Sequence, residues 1–142
     1  MKRSTALTSL ARDHHQTLVV AQILRRATDQ TAQDARARFL AHWDDDAREH
    51  FRLEEEILLP AFAVHGDPFD PLVARTLCEH VDIRRRAEQL RTDSPLQLKT
   101  LHELGHALNR HVRGEDRELF QLIEATIPPA ELEALAQALS RE

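Results

Sequence analysis

Residues 49–62 read EHFRLEEEILLPAF, and this stretch combines an apolar helical pattern with polar residues inside it. Six of its last eight residues are apolar, counting the proline, which is typical of a helix that packs into a protein interior. His50 and Glu54 lie four residues apart, on the inward stripe of that helix. Because a buried polar group without a partner destabilises a fold, the spacing predicts that both side chains are paired inside the protein.

Helix-capping residues divide the chain into four long helices and a short fifth one. Polar side chains that accept a backbone N–H, and prolines at the first helical position, are typical of helix starts. Such residues stand at Ser4 or Thr5, at Thr31 with Asp34 as a capping box, at Asp70-Pro71, at Ser94-Pro95 and at Pro128-Pro129. The first helix is expected to end near Thr28, the second near His65-Gly66 and the fourth near Ala125. Long helices joined by short loops predict an all-α, up-down-up-down four-helix bundle with a short C-terminal fifth helix.

Length and composition restrict the class of protein. A chain of 142 residues predicts one domain over 1–142, with a bundle core at about 5–125 and a short helix at about 129–140. The formal charge of −5 argues against nucleic acid as a partner, and the lack of a run of ~20 apolar residues argues against a membrane. The single cysteine, Cys78, excludes disulfides within the chain and favours a cytoplasmic location. Both a monomer and a homodimer remain open.

Every long helix has an apolar stripe that is interrupted by a histidine, and two stripes also contain a glutamate. The interrupting residues are His14, His50, Glu54, His80, His111 and Glu115. His14 and His80 follow their helix starts by ten residues, and the two glutamates lie at a similar distance from the opposite helix ends. In an up-down bundle these positions lie at the same depth, ~15 Å from one end, with His50 and His111 one turn further in. The sequence therefore predicts that all six side chains lie in one buried layer.

Four imidazoles and two carboxylates in an apolar interior predict a metal site, because a cation takes neutral histidine nitrogen and carboxylate oxygen as ligands. Nitrogen and oxygen donors without a thiolate favour iron or manganese, leave zinc possible, and make copper less suitable. Two glutamates shared among four histidines favour two ions bridged by the carboxylates. His15 is the alternative to His14 as the ligand from the first helix, because it is only one residue away.

Several neighbours of the predicted layer allow secondary predictions. Asp46 and Glu118 each lie one turn from a predicted ligand and are candidates for hydrogen bonds to a ligating imidazole. Glu55 is expected to face solvent, as is Glu56. Cys78 is expected to be a small buried apolar residue, with a redox-sensing thiol as the alternative. Gly114, beside Glu115, permits either a local helical bulge or close helix packing.

The ordered pattern of His14, His50-x-x-x-Glu54, His80 and His111-x-x-x-Glu115 resembles that of hemerythrin-like (HHE cation-binding) domains. The resemblance covers about residues 5–125 and includes the short sequence segments ARDHH, HFRLEEEILLP, EHVDIR and HVRGEDRELF. It implies a non-haem centre of two iron ions per chain, with an oxo or hydroxo bridge, two bridging carboxylates and terminal histidines. Such a centre would bind O₂, NO or peroxide as a small ligand.

Oxygen-carrying members of that family have a fifth histidine, which comes from an HxxxH pair on the third helix. This sequence differs from them there. Around His80 the corresponding positions are Thr76 and Arg84, so this ligand is absent. The difference argues against a tight oxygen carrier and favours a protein that binds or senses O₂, NO or iron.

Three alternatives stay open beside that function, and we expect a binding protein rather than an enzyme. The first is an enzyme that turns over peroxide or NO, or that repairs iron centres. The second is a mononuclear or non-iron site that holds zinc or manganese. The third is a metal-free bundle in which the histidines and glutamates only bond to one another.

Overall fold

The computed structural model describes residues 4–140, and within this range the chain forms helices and no strand. The α-helices are α1 (Thr5–Arg25), α2 (Ala32–His42), α3 (Arg48–Leu53), α4 (Leu59–His65), α5 (Pro71–Thr92), α6 (Leu98–Gly114), α7 (Phe120–Thr126), α8 (Pro129–Ala134) and α9 (Ala136–Leu139). Short π-helical segments lie at Trp43–Ala47, Glu54–Leu58 and Glu115–Leu119. The prediction of an all-α helical bundle is confirmed. The ends of the predicted domain, 1–3 and 141–142, lie outside the described residues.

Two of the four long helices are composite. The second long helix runs through residues 32–65 and the fourth through residues 98–126, because the residues at each α-to-π junction keep right-handed helical dihedral angles. The first and third long helices are α1 and α5, which are α-helical throughout. Each composite helix therefore continues through the part of the chain that carries the His-x-x-x-Glu spacing.

Bonds between the long helices show that neighbours run in opposite directions. The start of α1 lies beside the end of the fourth long helix, where the amide of Ser4 donates to Glu124 over 2.6 Å. At the other end of α1, Nε2 of His102 lies 2.8 Å from the carbonyl oxygen of Ala27. Opposed residue pairs also join α1 to the second long helix (Asp13 with His50, Thr17 with His42), the second to α5 (Glu55 with Arg84, Asp44 with Arg91) and α5 to the fourth (Arg75 with Glu118, Arg86 with Glu103).

Two of the predicted helix caps are confirmed. The Ser4 hydroxyl accepts the amide of Leu7 at the start of α1, over 3.3 Å. The Asp70 carboxylate accepts the amide of Leu72 at the start of α5, over 2.8 Å. Both caps satisfy a backbone donor that the first turn of a helix otherwise leaves without a partner.

Other predicted caps and helix starts differ in detail from the structure for local reasons, although α2 does begin directly after Thr31. The Thr31 hydroxyl does not cap α2, because it accepts the amide of Thr28 in the preceding loop instead. The fourth long helix starts at Leu98 and not at Ser94-Pro95, because Gln97 is still extended while Leu96 packs against apolar core residues. The predicted C-terminal helix consists of two short helices, α8 and α9, which meet at Leu135.

The buried apolar residues form two clusters, separated along every long helix by the predicted polar layer. The first apolar cluster includes Leu24, Phe39, Trp43, Leu90 and Leu104. The second apolar cluster includes Leu7, Leu58, Phe62, Phe120 and Leu132, so the short C-terminal helices pack on this side. Among residues 4–140, no helix combines the length and the apolarity needed to span a membrane.

Candidate metal centre

The six residues of the predicted layer lie together between the two apolar clusters. Each is at most 5% exposed: His14, His50, Glu54, His80, His111 and Glu115. Such burial is unusual for ionisable side chains unless they are paired or bind a cation. The structure therefore brings together every side chain that the sequence places in the layer.

The layer contains two groups of four residues that share both glutamates. One group is His14, His50, Glu54 and Glu115, and the other is Glu54, His80, His111 and Glu115. Within each group, one candidate ligand atom from every residue lies within 4.8 Å of the others. Each group can surround one cation, and the two carboxylates belong to both positions, as bridging ligands do.

All four histidines direct Nε2 toward the shared carboxylates. The Nε2 atoms of His14 and His111 lie 2.8 and 3.1 Å from the two oxygens of Glu115. The Nε2 atoms of His50 and His80 lie 3.1 Å from the two oxygens of Glu54. Each glutamate therefore presents one oxygen to each group.

Four buried atoms of the second group make no hydrogen bond of acceptable geometry with any described residue. They are Glu54 Oε1, His80 Nε2, His111 Nε2 and Glu115 Oε2. Buried polar atoms without a hydrogen bond cost about 1–3 kcal/mol each, so native proteins rarely keep them. A cation uses these imidazole and carboxylate donors directly, so the donor set fits a bound metal ion.

Four carboxylates, named here the outer carboxylates, face the Nδ1 atoms of the four histidines of the layer. The Nδ1 atoms lie 2.9 Å from Asp116 for His14, 3.2 Å from Asp13 for His50, 2.7 Å from Glu55 for His80 and 2.8 Å from Glu79 for His111. A carboxylate in this place holds the proton on Nδ1, which leaves the lone pair of Nε2 for a metal ion. The outer carboxylates therefore fix the tautomer and the orientation of each ring.

These outer carboxylates follow a regular order that sequence reasoning missed. Each is adjacent in sequence to a residue of the layer, in the pairs Asp13-His14, Glu54-Glu55, Glu79-His80 and Glu115-Asp116. Each long helix directs its carboxylate to the histidine of the next long helix, and the fourth helix completes the ring by reaching His14. The available signal was one acidic residue on each long helix, directly beside a residue of the layer.

Three secondary predictions about acidic residues need correction or change. The expectation that Glu55 faces solvent is wrong, because its carboxylate bonds both His80 and Arg84. Glu118 pairs with Arg75 over 3.0 Å, while Glu79 faces the outer nitrogen of His111. Asp46 lies 3.8 Å from Nδ1 of His42, and Asp13 takes the place beside His50. In both cases a carboxylate from a neighbouring long helix reaches the imidazole.

Two further predictions concern whether a side chain is buried. His14 is buried in the layer, whereas His15 is exposed on the outside of α1. Cys78 is also exposed, so the expectation of a buried cysteine is wrong. Its position on α5 differs from that of His80 by about 200°, which directs it away from the bundle interior.

Thr76 and Arg84 stand at the two positions where a fifth histidine could lie, and their environments differ. Thr76 is 2% exposed, one turn before His80, and its hydroxyl donates to the carbonyl oxygen of Leu72 over 2.8 Å. Arg84 lies outside the layer, with its guanidinium 5.8 Å from the ring centroid of Phe51. Neither side chain adds an imidazole to the centre.

Aromatic rings line the layer from both apolar clusters. Phe51 stacks on His80 at a centroid distance of 3.8 Å and an interplanar angle of 4°, and Phe120 stacks on His14 at 5.3 Å. Beside His50, by contrast, a cavity of about 170 Å³ is lined by Asp13, Gln16, His42 and Asp46. Apolar rings therefore cover His80 and His14, and a cavity lined by polar side chains reaches His50.

The carboxylates control the charge of the buried imidazoles in the metal-free layer. Burial disfavours a charged imidazolium, but the bonds to Asp116 and Glu115 outweigh it and raise the pKa of His14 to about 10. The same balance between burial and facing carboxylates raises the pKa of His80 to about 11 and that of His111 to about 9. Burial acts to raise the pKa of Glu115, yet the surrounding imidazoles hold it well below its usual range. A metal ion that enters the layer must therefore displace protons.

π-helical segments begin at both shared glutamates. One starts at Glu54 and the other at Glu115, so each carboxylate lies at an α-to-π junction. Gly114 precedes Glu115, as the bulge prediction supposed, but Leu53 precedes Glu54. The π geometry therefore does not require glycine, and a Cβ at Gly114 would meet only the flexible end of Arg75, at 3.0 Å.

Comparison with known proteins assigns this arrangement to a family. The sequence model described as the hemerythrin HHE cation-binding domain matches residues 5–123. Searches of curated proteins and of solved structures give no match. The matched range contains all six residues of the layer and all four outer carboxylates. The chain therefore belongs to the hemerythrin HHE cation-binding domain family.

Proposed function

We propose that this protein binds two iron ions in the buried layer and that the loaded centre binds or senses O₂ or NO. The observation that carries the proposal is the pair of four-residue groups that share Glu54 and Glu115. A structural bundle has no need for two carboxylates that each face two histidines. Two cations at neighbouring positions use every one of these donor atoms.

Each ion has its own pair of histidines. His14 and His50 would hold the first ion, His80 and His111 the second, and the two glutamates would bridge them. Imidazole and carboxylate donors without a thiolate suit iron, and they also accept manganese or zinc. When bound, a pair of irons supplies one-electron chemistry and affinity for O₂ and NO.

The chain's own residues prepare the layer for this ligand. The outer carboxylates hold protons on Nδ1, so that each Nε2 can face a cation. The rings of Phe51 and Phe120 cover two of the histidines and exclude water from them. A small diatomic molecule would enter from the cavity that His50 lines.

The cellular setting is part of the proposal. A chain with one cysteine forms no internal disulfide, which suits a reducing cytoplasm, where ferrous iron is also the available form. We propose reversible binding rather than turnover, so the protein would report the presence of its ligand to a separate partner.

The first experiment measures iron directly. Metal-free protein is titrated anaerobically with ferrous iron, desalted and analysed for metal, with the expectation of about two irons per chain. A near-ultraviolet charge-transfer band should develop when the loaded protein meets air, and a different spectrum should develop with NO. Glu54→Ala should lose iron, whereas Glu56→Ala, an exposed neighbour, should retain it.

Several results would contradict the proposal. A protein that stays colourless and iron-free under these conditions is not a di-iron protein. One metal per chain would indicate a mononuclear site, and a strong preference for zinc or manganese in competition would replace iron. Repeated consumption of peroxide or NO by catalytic amounts of protein would indicate an enzyme instead of a sensor.

A further inference from the structure

The outward face of α5 carries an apolar stripe that no other part of residues 4–140 covers. Its members are Ala74, Leu77, Cys78 and Val81, and all four are exposed, Val81 to 67%. They follow the spacing i, i+3, i+4 and i+7, which normally marks the face of a helix that packs against another helix. The opposite face of α5 already packs into the bundle through His80 and its apolar neighbours. Within residues 4–140, only the inward face of α5 packs against other helices.

Opposite charges flank the stripe at equal distances. Asp70 lies one turn before Ala74, and Arg85 lies one turn after Val81. On a regular α-helix the five of these residues that lie within α5 fall within an arc of about 100°, and Asp70 is the cap directly before them. The stripe therefore has an acidic residue directly before it and a basic residue one turn after it.

The order of these residues is symmetric about the midpoint between Leu77 and Cys78. Ala74 and Val81 lie equally far from this point on either side, and so do Asp70 and Arg85. A helix turned end over end about this point places apolar residues on apolar residues and Asp70 on Arg85. A two-fold dimer needs a self-complementary surface of this kind.

We propose that α5 packs antiparallel against α5 of a second copy of this chain, with a two-fold axis between Leu77 and Cys78. Asp70 of one protomer then lies beside Arg85 of its partner, twice per dimer. A parallel arrangement in the same register would place Asp70 near Asp70 and Arg85 near Arg85, which like-charge repulsion disfavours. The pairing does not depend on the proposed iron centre.

Both charged residues already have contacts at their own end of α5. Asp70 is half-buried and uses Oδ1 to cap α5, so an arginine of the partner would approach its other carboxylate oxygen. Arg85 bonds Asp82 and Gln89 on its own helix, but its side chain remains 52% exposed. The ion pairs between protomers would select the direction and register, while the apolar residues supply most of the affinity.

The size of the surface predicts a weak dimer. Fifteen residues of helix extend over ~22 Å, and a single helix face buries less than the ~800 Å² per partner of a standard stable interface. Dimers should therefore dissociate on dilution, with a dissociation constant of about 1 μM or weaker.

The first test is sedimentation velocity of the full chain over a wide range of concentrations, with and without iron. The wild type should change reversibly from monomer to dimer. Val81→Glu should raise the dissociation constant at least tenfold, whereas Val64→Glu, at a site that is 76% exposed on another helix, should not change it. A wild type that stays monomeric at millimolar concentration, or equal effects of both variants, would overturn the proposal.

A charge exchange tests the direction of pairing. Arg85→Glu and Asp70→Lys should each self-associate at least threefold more weakly than the wild type, because like charges then meet. An equal mixture of the two variants should form a heterodimer, because both of its contacts join opposite charges again. Asp70→Lys also removes a helix cap, so its melting temperature is measured, and only a folded sample is used. A mixture that associates no better than either variant alone would refute the antiparallel register.

Cysteine cross-linking tests the position of the axis. A short bismaleimide should join Cys78 to Cys78 of the second copy, because both lie next to the axis. In the double variant Cys78→Ala, Val81→Cys, the new thiols would lie about 10 Å apart along the helix, and cross-linking should fall several-fold. Faster cross-linking at position 81 than at position 78 would exclude the proposed axis.

Discussion

The polar layer and the two apolar clusters are equally buried, yet they are held together in different ways. Leu104 and Phe62 in the clusters are 0% and 1% exposed, and Glu54 and His80 in the layer are 0% and 1% exposed. The clusters gain stability from removing apolar surface from water, which requires shape but no particular partner atom. The layer instead depends on directed pairs between imidazoles and carboxylates, and four of its atoms have no hydrogen bond to any described residue.

This difference separates the apolar contacts that stabilise the fold from the polar residues that are available to bind a ligand. Replacing a buried ion pair by apolar residues of similar volume is often neutral or stabilising, so six buried ionisable groups are a poor way to stabilise a bundle. The clusters on either side can hold the helices in place while the layer remains poised for a ligand. Perturbing the layer or a cluster and measuring both stability and metal binding therefore tests this division.

The largest effect is expected from pH, which acts on the layer and not on the clusters. Because the pKa values of His14, His80 and His111 are raised to about 9–11, their protons stabilise the metal-free fold fully below about pH 6.5. That stability is lost as the pH rises through 9 to 11. Between pH 7 and pH 10 the melting temperature of metal-free protein should fall by ~10–15 °C.

Iron-loaded protein provides the control for pH. Its histidines are neutral ligands, so its melting temperature should change much less over the same range. The chain has no tyrosine and only two lysines, so few other groups titrate there. If the metal-free protein is more stable at pH 10 than at pH 7, protonated histidines do not stabilise the layer.

The next effect is expected from Glu115→Ala, which removes the residue that faces three histidines. Its oxygens lie 2.8 Å from His14, 3.1 Å from His111 and 3.6 Å from His80. Removing one partner of a buried ion pair costs about 3–5 kcal/mol, so the melting temperature of metal-free protein should fall by ~10 °C at pH 7. Bound iron should fall from about two per chain to less than one. Retention of two irons would show that Glu115 is not a shared ligand.

Leu104→Ala makes the converse change, in the first apolar cluster. Leu104 is fully buried, and truncation leaves a cavity that should destabilise the fold by about 3 kcal/mol. Because the layer lies about two turns away along the helix, the variant should still bind about two irons per chain. Calorimetry and metal analysis of the same sample separate the two effects. Loss of iron at unchanged stability would mean that the clusters and the layer are not independent.

The sequence was sufficient to predict the helical bundle and the buried layer, for reasons that lie within single helices. Apolar spacing identifies the inward face of a helix, and distance from a cap such as Ser4 or Asp70 gives depth along it. Both quantities depend only on regular helix geometry. The meeting of six polar side chains therefore followed from local patterns and one assumption about topology.

Contacts that depend on how helices rotate against one another could not be predicted in this way. Asp13 and Glu79 precede layer histidines on their own helices, but each bonds a histidine of the next helix. The start of the fourth long helix was also mispredicted, because Gln97 is extended and Leu96 packs against the first apolar cluster. Regular helix geometry says nothing about either of these choices.

The smallest effect is expected from Glu79→Gln, which tests one such contact between helices. Glu79 lies 2.8 Å from Nδ1 of His111, and the amide keeps its shape while losing the charge that holds the proton. Loss of a carboxylate behind a ligating histidine typically weakens metal binding about 10–100-fold. Glu118→Gln is the matched control, because Glu118 pairs with Arg75 at a half-exposed surface position and should leave the affinity unchanged. Competition against a chelator of known affinity measures both variants, and equal affinities would reduce the outer carboxylates to helix-packing contacts.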